Sequence, residues 1–422
     1  MANNTTSNTV EDLARIFLEK FMSSRVLTKT VDTQLLQGRY TPRTGGTVSF
    51  KRPHDYNTIR TTAGDISAST KSDIIAGKAT GVVQNYFTVA TEWENIEEAL
   101  ELDQLDKIIE PMATRIVTDL EVDLGTFMQQ NGGLAVGTPG TGVTTWSDVS
   151  RAQAEMESRG VPMDADWMYV MSPFTANILA DVQNSLSSGS NRLVDNAWER
   201  AQVSDRLAGM RVMRSNALKS FTSGASADRI GALSATPDAT YVTAKDTMTQ
   251  SLALDSLTND GTILAGDVLE VTGRRQLNLS TRETMIDNTG TALLWRAVVT
   301  ADVTLNGSGA GTVVATGPAI RETNGQYNTV DGALVSGDVV TVLGATAELR
   351  QPNLIYHPQA FGLGTVKLPK LFNTDTIATT EDGFSIRVSK YSDGDANVQK
   401  VRFDLLPAFI VYQPFFGGQA WG

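Results

Sequence analysis

Residues 92–131 read EWENIEEALELDQLDKIIEPMATRIVTDLEVDLGTFMQQN, and this stretch decides the architecture. Trp93, Ile96, Leu100, Leu105, Ile108, Ile109, Met112, Ile116, Leu120, Leu124 and Phe127 fall on one face of a helix. Pro111 lies inside that stripe. It lacks an amide donor and its ring crowds the preceding turn, so a kink or break near Glu110 is expected. Asn131, Gly132 and Gly133 supply the stop.

The same stretch is acidic. Over 92–110, Glu92, Glu94, Glu97, Glu98, Glu101, Asp103, Asp106 and Glu110 stand against Lys107 alone. Like charges one turn apart repel. The preceding segment, 38–91, has the opposite character: Arg39, Arg43, Lys51, Arg52, Arg60, Lys71 and Lys78 outnumber Asp55, Asp65 and Asp73. Glycines and prolines punctuate it, and strands are expected at Thr47–Lys51 and Val82–Ala90, bracketing a long polar excursion. Two readings stand. The acidic face is solvated, or the basic arm of a neighbouring copy lies over it and fixes register between subunits. A head-to-tail contact of that kind generates rings and lattices.

Upstream, Leu13, Ala14, Phe17, Leu18 and Phe21 predict a short amphipathic helix over 10–22. It packs either on its own core or on a partner. Downstream, 134–222 mixes helices and strands. A helix is expected from Trp146 through Ser158 with Ser147 as N-cap, a strand at Trp167–Met171, a helix opening at Ser172-Pro173, and a strand at Arg211–Arg214. From 223 to 345 the composition turns to Gly, Thr, Ser and Val, with no long helical period. Gly266-Asp267-Val268-Leu269-Glu270-Val271-Thr272-Gly273 recurs as Gly337-Asp338-Val339-Val340-Thr341-Val342-Leu343-Gly344. Two such turn–strand units point to an inserted β-barrel or sandwich rather than a solenoid. Over 346–422, alternation at Phe384–Lys390 and Val398–Leu405 about Ser392-Asp393-Gly394-Asp395 reads as a hairpin, with a last strand at Ala408–Tyr412.

Composition narrows the chemistry. The chain has 422 residues, 41% apolar and 19% charged, with a net charge of -12 and no cysteine. Disulfides, thiolate metal sites and cysteine nucleophiles are excluded. With His54 and His357 as the only histidines, neither a three-histidine metal site nor an H-E-x-x-H helix can form within one chain. The negative charge argues against a general positive field that grips nucleic acid or membrane. The first ten residues do not read as a signal peptide, and no 18-residue apolar window is present. Gly77-Lys78-Ala79-Thr80 imitates the end of a phosphate loop, but Ser72 stands where its first glycine belongs. Asp393, Asp395, Asn397 and Asp404 fall at calcium-loop spacing, yet Val398 takes the position that needs glycine, which favours a plain hairpin turn.

The runs Ser49-Phe50-Lys51-Arg52-Pro53-His54, Gly64-Asp65-Ile66-Ser67, Gly77-Lys78-Ala79-Thr80-Gly81, Ile116-Val117-Thr118-Asp119-Leu120-Glu121, Trp146-Ser147-Asp148-Val149 and Leu368-Pro369-Lys370-Leu371 resemble the coat proteins of short-tailed phages of enterobacteria. The longest such run goes from Gly383 through Val388 and on from Asp393 to Pro407. The resemblance covers nearly the whole chain in order and is weakest over 223–345.

It implies an α+β, Hong Kong 97-type phage capsid fold. Residues 1–37 would be the N-terminal arm, 38–91 the extended loop and its flanking strands, and 92–133 the spine helix of the peripheral domain. Residues 134–222 would form the axial domain, 223–345 an all-β telokin-like insertion domain, and 346–422 the return through both. It also implies a non-enzymatic major capsid protein of the virion, without cofactors. Copies would close as pentamers and hexamers into an icosahedral shell in the host cytoplasm. The implied partners are a scaffolding protein, a portal protein and double-stranded DNA packaged without specific recognition, and no membrane. The extended loop would lie on a neighbour, with Arg52, Arg60, Lys71 and Lys78 as donors and Glu94, Glu98 and Glu101 as acceptors. Glu11, Phe17 and Phe21 of the arm would touch scaffold or neighbour. Two rivals remain at this point: a β-rich surface adhesin, and a hydrolase built on carboxylates and a metal.

Overall fold

The computed structural model describes residues 5–33, 46–94, 105–184, 203–323, 325–373, 375–380, 382–393 and 398–422. The chain forms two bodies, each drawn from separate stretches: 1–49, 80–125 and 361–410 in one, 50–79, 126–360 and 411–422 in the other.

In the first body a four-stranded sheet runs in the order Thr376–Thr379, Ser385–Asp393, Val398–Leu405, Phe87–Glu94. The expected hairpin is its centre, paired from Ile386↔Leu405 to Asp393↔Val398. Helix Thr5–Ser24 lies on this sheet with Leu13, Phe17 and Phe21 buried. The Phe17 ring stacks on Phe403 at 4.3 Å, and Phe21 meets Phe384 edge-on at 5.6 Å. Each buried ring contributes on the order of 2–3 kcal/mol.

The run expected as one strand, Val82–Ala90, is two. Lys78–Val83 pairs with Pro407–Val411, and Phe87–Glu94 pairs with Val398–Leu405. The break follows from Pro407, which has no amide to continue a ladder. Its carbonyl takes the Gln84 amide at 2.9 Å instead. The helix expected from 92 also starts later. Phe87, Val89, Thr91 and Trp93 alternate, and ladder pairing carries the strand to Glu94; the described helix spans Leu105–Asn131. It continues through Pro111, whose missing amide forfeits one bond, to the Lys107 carbonyl. Asn131 ends it as expected, and Gly132 must be glycine, since a Cβ there would meet Gly418 Cα at 2.5 Å.

Cross-strand pairing builds a polar ladder in the four-stranded sheet. Asp404 is fully buried, directly opposite Arg387 on one side and Thr88 on the other. Arg387 Nη2 donates to it at 2.6 Å, Arg402 Nε at 2.7 Å and Thr88 Oγ1 at 2.6 Å. This fourth member of the calcium-like spacing is therefore committed to the sheet.

In the second body a six-stranded mixed sheet runs Leu134–Val136, Gly417–Ala420, Asn353–Tyr356, Met168–Met171, Met210–Arg214, Arg206–Leu207. Helices Trp146–Ser158 and Pro173–Asn184 help cover it through Val149, Ala152, Met156, Ala176 and Leu179. The first helix is capped by Thr145, not Ser147: Thr145 Oγ1 accepts from the Asp148 amide at 3.3 Å and Asp148 Oδ2 from the Thr145 amide at 2.9 Å. A carboxylate three residues after the cap completes this reciprocal box.

The 223–345 stretch closes into a six-stranded barrel: Thr249–Asp255, Gly311–Thr316, Leu294–Val299, Val268–Arg275, Val339–Val342, Ile230–Leu233. The two repeats are neighbours in it, antiparallel, with Leu269 opposite Val342 and Val271 opposite Val340. Each enters through the same turn. Gly266 and Gly337 have φ of +98° and +89°, where a side chain would be strained. Asp267 and Asp338 then accept the amides of Leu264 and Val335 at 3.0 and 2.9 Å. Each aspartate has a guanidinium beside it, Arg350 at 3.6 Å for Asp267 and Arg274 at 2.7 Å for Asp338.

Burial raises the Asp404 carboxyl, but the hydrogen bonds from Thr88, Arg387 and Arg402 outweigh it and hold its pKa below the usual 3.8. A depressed folded-state pKa adds stability above that value and loses it as pH falls through the folded pKa. Asp404→Asn is expected to cost about 3 kcal/mol at pH 7 in urea unfolding. The difference from wild type narrows toward pH 3; a constant difference from pH 7 to 3 would refute the charge assignment.

Candidate functional site

The basic loop leaves the first strand at Lys51 and returns at Lys78. Its four expected donors have different fates. Arg52 turns inward and is only 6% exposed. Its Nη1 donates to the Tyr412 carbonyl, and its Nη2 reaches the Asp246 and Val411 carbonyls at 3.4 and 3.5 Å. Burial pulls its pKa down to about 10, with Tyr241 and Asp246 opposing that shift. Its side chain is thus committed to its own chain. Lys71 Nζ donates to the Ile66 and Ser67 carbonyls at 3.0 and 3.5 Å, capping the turn at the loop tip. Arg60 is exposed, and so is Lys78, whose backbone amide donates to Asp246 Oδ1 at 3.1 Å.

Of the expected acceptors, Glu94 is the last residue of its strand, opposite Val398. Glu98 and Glu101 lie outside the described residues. The flanks of the acidic stretch have partners within the chain: Glu92 pairs with Lys400 at 3.4 Å and Glu110 with Lys20 at 3.5 Å. On the N-terminal helix Glu11 is exposed, while Phe17 and Phe21 face the sheet beneath and are fully covered by it. The structure therefore separates the three arm residues: one faces outward and two are core.

Sequence reasoning assigned no role to Glu121. It sits on the long helix, 4% exposed, and accepts hydrogen bonds from the Val26 amide and from the amide and hydroxyl of Thr28 at 3.3 and 3.2 Å. Val26 leads into, and Thr28 lies within, the 3-10 turn Leu27–Lys29 that follows the N-terminal helix. The available signal was a glutamate between Leu120 and Leu124, near the buried face of an otherwise apolar stripe.

For catalysis the arrangement is unpromising. His54 is exposed. His357 is buried with both ring nitrogens engaged: Nε2 meets Asp164 Oδ1 at 2.8 Å and Nδ1 accepts the Gln359 amide at 3.1 Å. Neither nitrogen is left to activate a nucleophile. Among the described residues no three His, Asp or Glu side chains converge on a metal position, and no described helix is long and apolar enough to cross a membrane. What the loop does present is apolar surface: Tyr56, Ile66 and Ile74 are 55%, 43% and 76% exposed.

The sequence profile described as P22 coat protein - gene protein 5 matches residues 1–422. The major capsid protein of Acyrthosiphon pisum secondary endosymbiont phage 1 is 42% identical over 427 residues, covering 100% of both chains. Among solved structures, a chain from Mycobacterium phage Che8 aligns with 94% of this chain and 90% of its own, at 11% identity and a TM-score of 0.43. The capsid of Ralstonia phage GP4 aligns with 93% and 89%, at 8% identity and 0.41.

Burial raises the Glu121 carboxyl more than the amides of Val26 and Thr28 lower it. A carboxylate with a raised folded pKa favours the fold at low pH and loses that contribution as pH rises through the folded value. Glu121→Gln keeps an acceptor oxygen and removes the buried charge, so it should match or exceed wild type in thermal stability at pH 7, with the gain shrinking at pH 4. Glu121→Ala should cost about 2 kcal/mol at both, because buried amides lose their acceptor. A glutamine variant less stable than wild type at pH 7 would reverse the assignment.

Proposed function

Because this chain belongs to the P22 coat protein family, we propose that copies of it close as pentamers and hexamers into an icosahedral shell around double-stranded DNA. It is a bacteriophage major capsid protein, and forming the capsid shell is its function. The finer reading adds a procapsid built on a scaffolding protein in the host cytoplasm, with a portal protein at one vertex. The observation that carries it is the end-to-end match, 42% identical to a phage major capsid protein.

Physical features support the reading. Tyr56, Ile66 and Ile74 are held out on a loop whose limbs are anchored, and apolar groups so placed gain by burial against a second copy. Arg60 on the loop and Lys78 at its end are exposed and, with Lys71, are the proposed donors to Glu94, Glu98 and Glu101 of a neighbour. Each pair contributes little alone, while a lattice repeats it many times. Glu11 is the arm residue placed to meet scaffold or neighbour. A net charge of -12 suits a wall that encloses DNA without gripping it. A Hong Kong 97-type fold is the proposed frame. The long helix, the anchored loop and the barrel, read as a telokin-like insertion, support it.

Expression with and without the cognate scaffolding protein, followed by sucrose-gradient sedimentation and negative-stain microscopy, tests the proposal. Uniform closed shells whose size depends on scaffold are expected. A slow-sedimenting monomer under both conditions, with scaffold present, would overturn it. Charge reversal at Glu98 should reduce shell yield several-fold, and unchanged yield would remove that residue from the pairing.

A further inference from the structure

Residues 52–77 contain neither helix nor strand, and holding such a segment in one direction costs conformational entropy. Yet both limbs are gripped, and the residues that grip them come from the barrel module. On the outgoing limb the Asp55 carboxylate pairs with Arg282, and the Asp55 amide donates to Tyr327 Oη at 3.1 Å. On the returning limb Gln326 Nε2 donates to the Asp73 carbonyl at 2.6 Å, and Lys245 Nζ to the Ala76 carbonyl at 3.4 Å. Ile75 packs on the cluster of Tyr241, Met248, Ile320 and Tyr327. The Tyr241 and Tyr327 rings stack at 3.7 Å, so two segments flanking the barrel strands make one platform.

Asp246 touches both limbs at once. Its carboxylate accepts the Lys78 amide, and its own carbonyl accepts Arg52 Nη2. The limbs are tied to each other by the Arg52 amide on the Gly77 carbonyl at 2.9 Å. Contact at Gly77 is close enough to forbid a side chain: a Cβ there would lie 2.7 Å from the Lys245 carbonyl oxygen and 3.1 Å from Tyr241 Oη.

We infer that the barrel module is a clamp that sets the direction of the extended loop within its own chain, before a second copy is met, with Asp246, Arg282 and Gln326 as its positioning residues. The consequence for assembly rests on the coat-protein reading; the clamp itself does not. It gives the inserted barrel a task inside the subunit and explains why Arg52 and Asp55 are engaged internally while the loop tip stays exposed.

Hydrogen exchange of the soluble full-length chain, read by mass spectrometry, tests it. Gly77→Ala and Asp246→Ala should each speed exchange about tenfold in both limbs, 52–57 and 73–78, while the barrel strand Leu294–Val299 keeps its protection. Asp246→Asn, which retains an oxygen for the Lys78 amide, should restore it. Unchanged limbs in both variants would overturn the clamp. If Gly77→Ala also loosens the barrel strands, the ion pair decides. Asp55→Arg should loosen the limbs and Asp55→Arg with Arg282→Asp should restore them, and failure of either overturns the proposal. Gradients with scaffold then read the consequence: loosened variants should give particles of mixed size. Uniform shells of wild-type size from a loosened variant would overturn the aiming role. A wild-type chain that forms no shells would count against the coat reading and leave the exchange result standing.

Discussion

The first body depends on one pairing: Phe87–Glu94 laid antiparallel along Val398–Leu405. These strands lie more than 300 residues apart in the chain, so closing them carries a large entropic cost that the rest of the sheet must offset. The register supplies the compensation. It sets Thr88 opposite Asp404, which already faces Arg387, and leaves Phe403 on the other face to receive Phe17. A slip of one residue would exchange those faces, exposing the aromatic ring and burying the charges without partners. Strand pairing, ion ladder and N-terminal helix therefore stand or fall together.

The second body solves a similar problem with turns. Its barrel uses one turn–strand unit twice, and each copy brings an aspartate that bonds the turn amide three residues back while a guanidinium sits beside it. Arg350 and Asp267 are both fully buried and held in a wider network, Arg350 also pairing with Glu348 at 3.1 Å and Asp267 with Arg229 at 3.8 Å. Such sites show how many of this acidic chain's charges serve its interior. Arg52, Asp55 and Asp246 belong to that internal set, and Arg60, with the side chain of Lys78, to the outer surface. The division matters for a shell subunit: groups committed internally hold a shape, and the exposed ones are left to meet a neighbour.

Local patterns reported much of this directly. The hairpin about residues 393–398, the helix opening at Pro173, the stop at Asn131 and the barrel composition of 223–345 were all readable, because each follows from side-chain period or turn chemistry within about ten residues. Two of the misreadings share one cause, a distant partner strand, and the third is local. Trp93 fits a helical stripe and a strand alternation equally well, and only the partner strand selects the second. Val82–Ala90 looks continuous until Pro407, far away in sequence, interrupts the ladder opposite it. Ser147 and Thr145 are both good caps, and the Asp148 spacing favours the threonine.

The sequence by itself determined the class of the protein: mixed helix and sheet, a β-rich stretch over 223–345, no cysteine chemistry, and a run of motifs that placed it among phage coat proteins. Those features are local or compositional, and they survive without coordinates. Tertiary structure alone decided which charges are available. Arg52 and Arg60 are alike in a sequence of basic loop residues, yet one is buried among carbonyls and the other is exposed. Phe17 and Glu11 share a helix, and only packing against Phe403 makes one core and the other surface. Whether a side chain points inward depends on which distant segment lies against it, and no window of neighbouring residues carries that information.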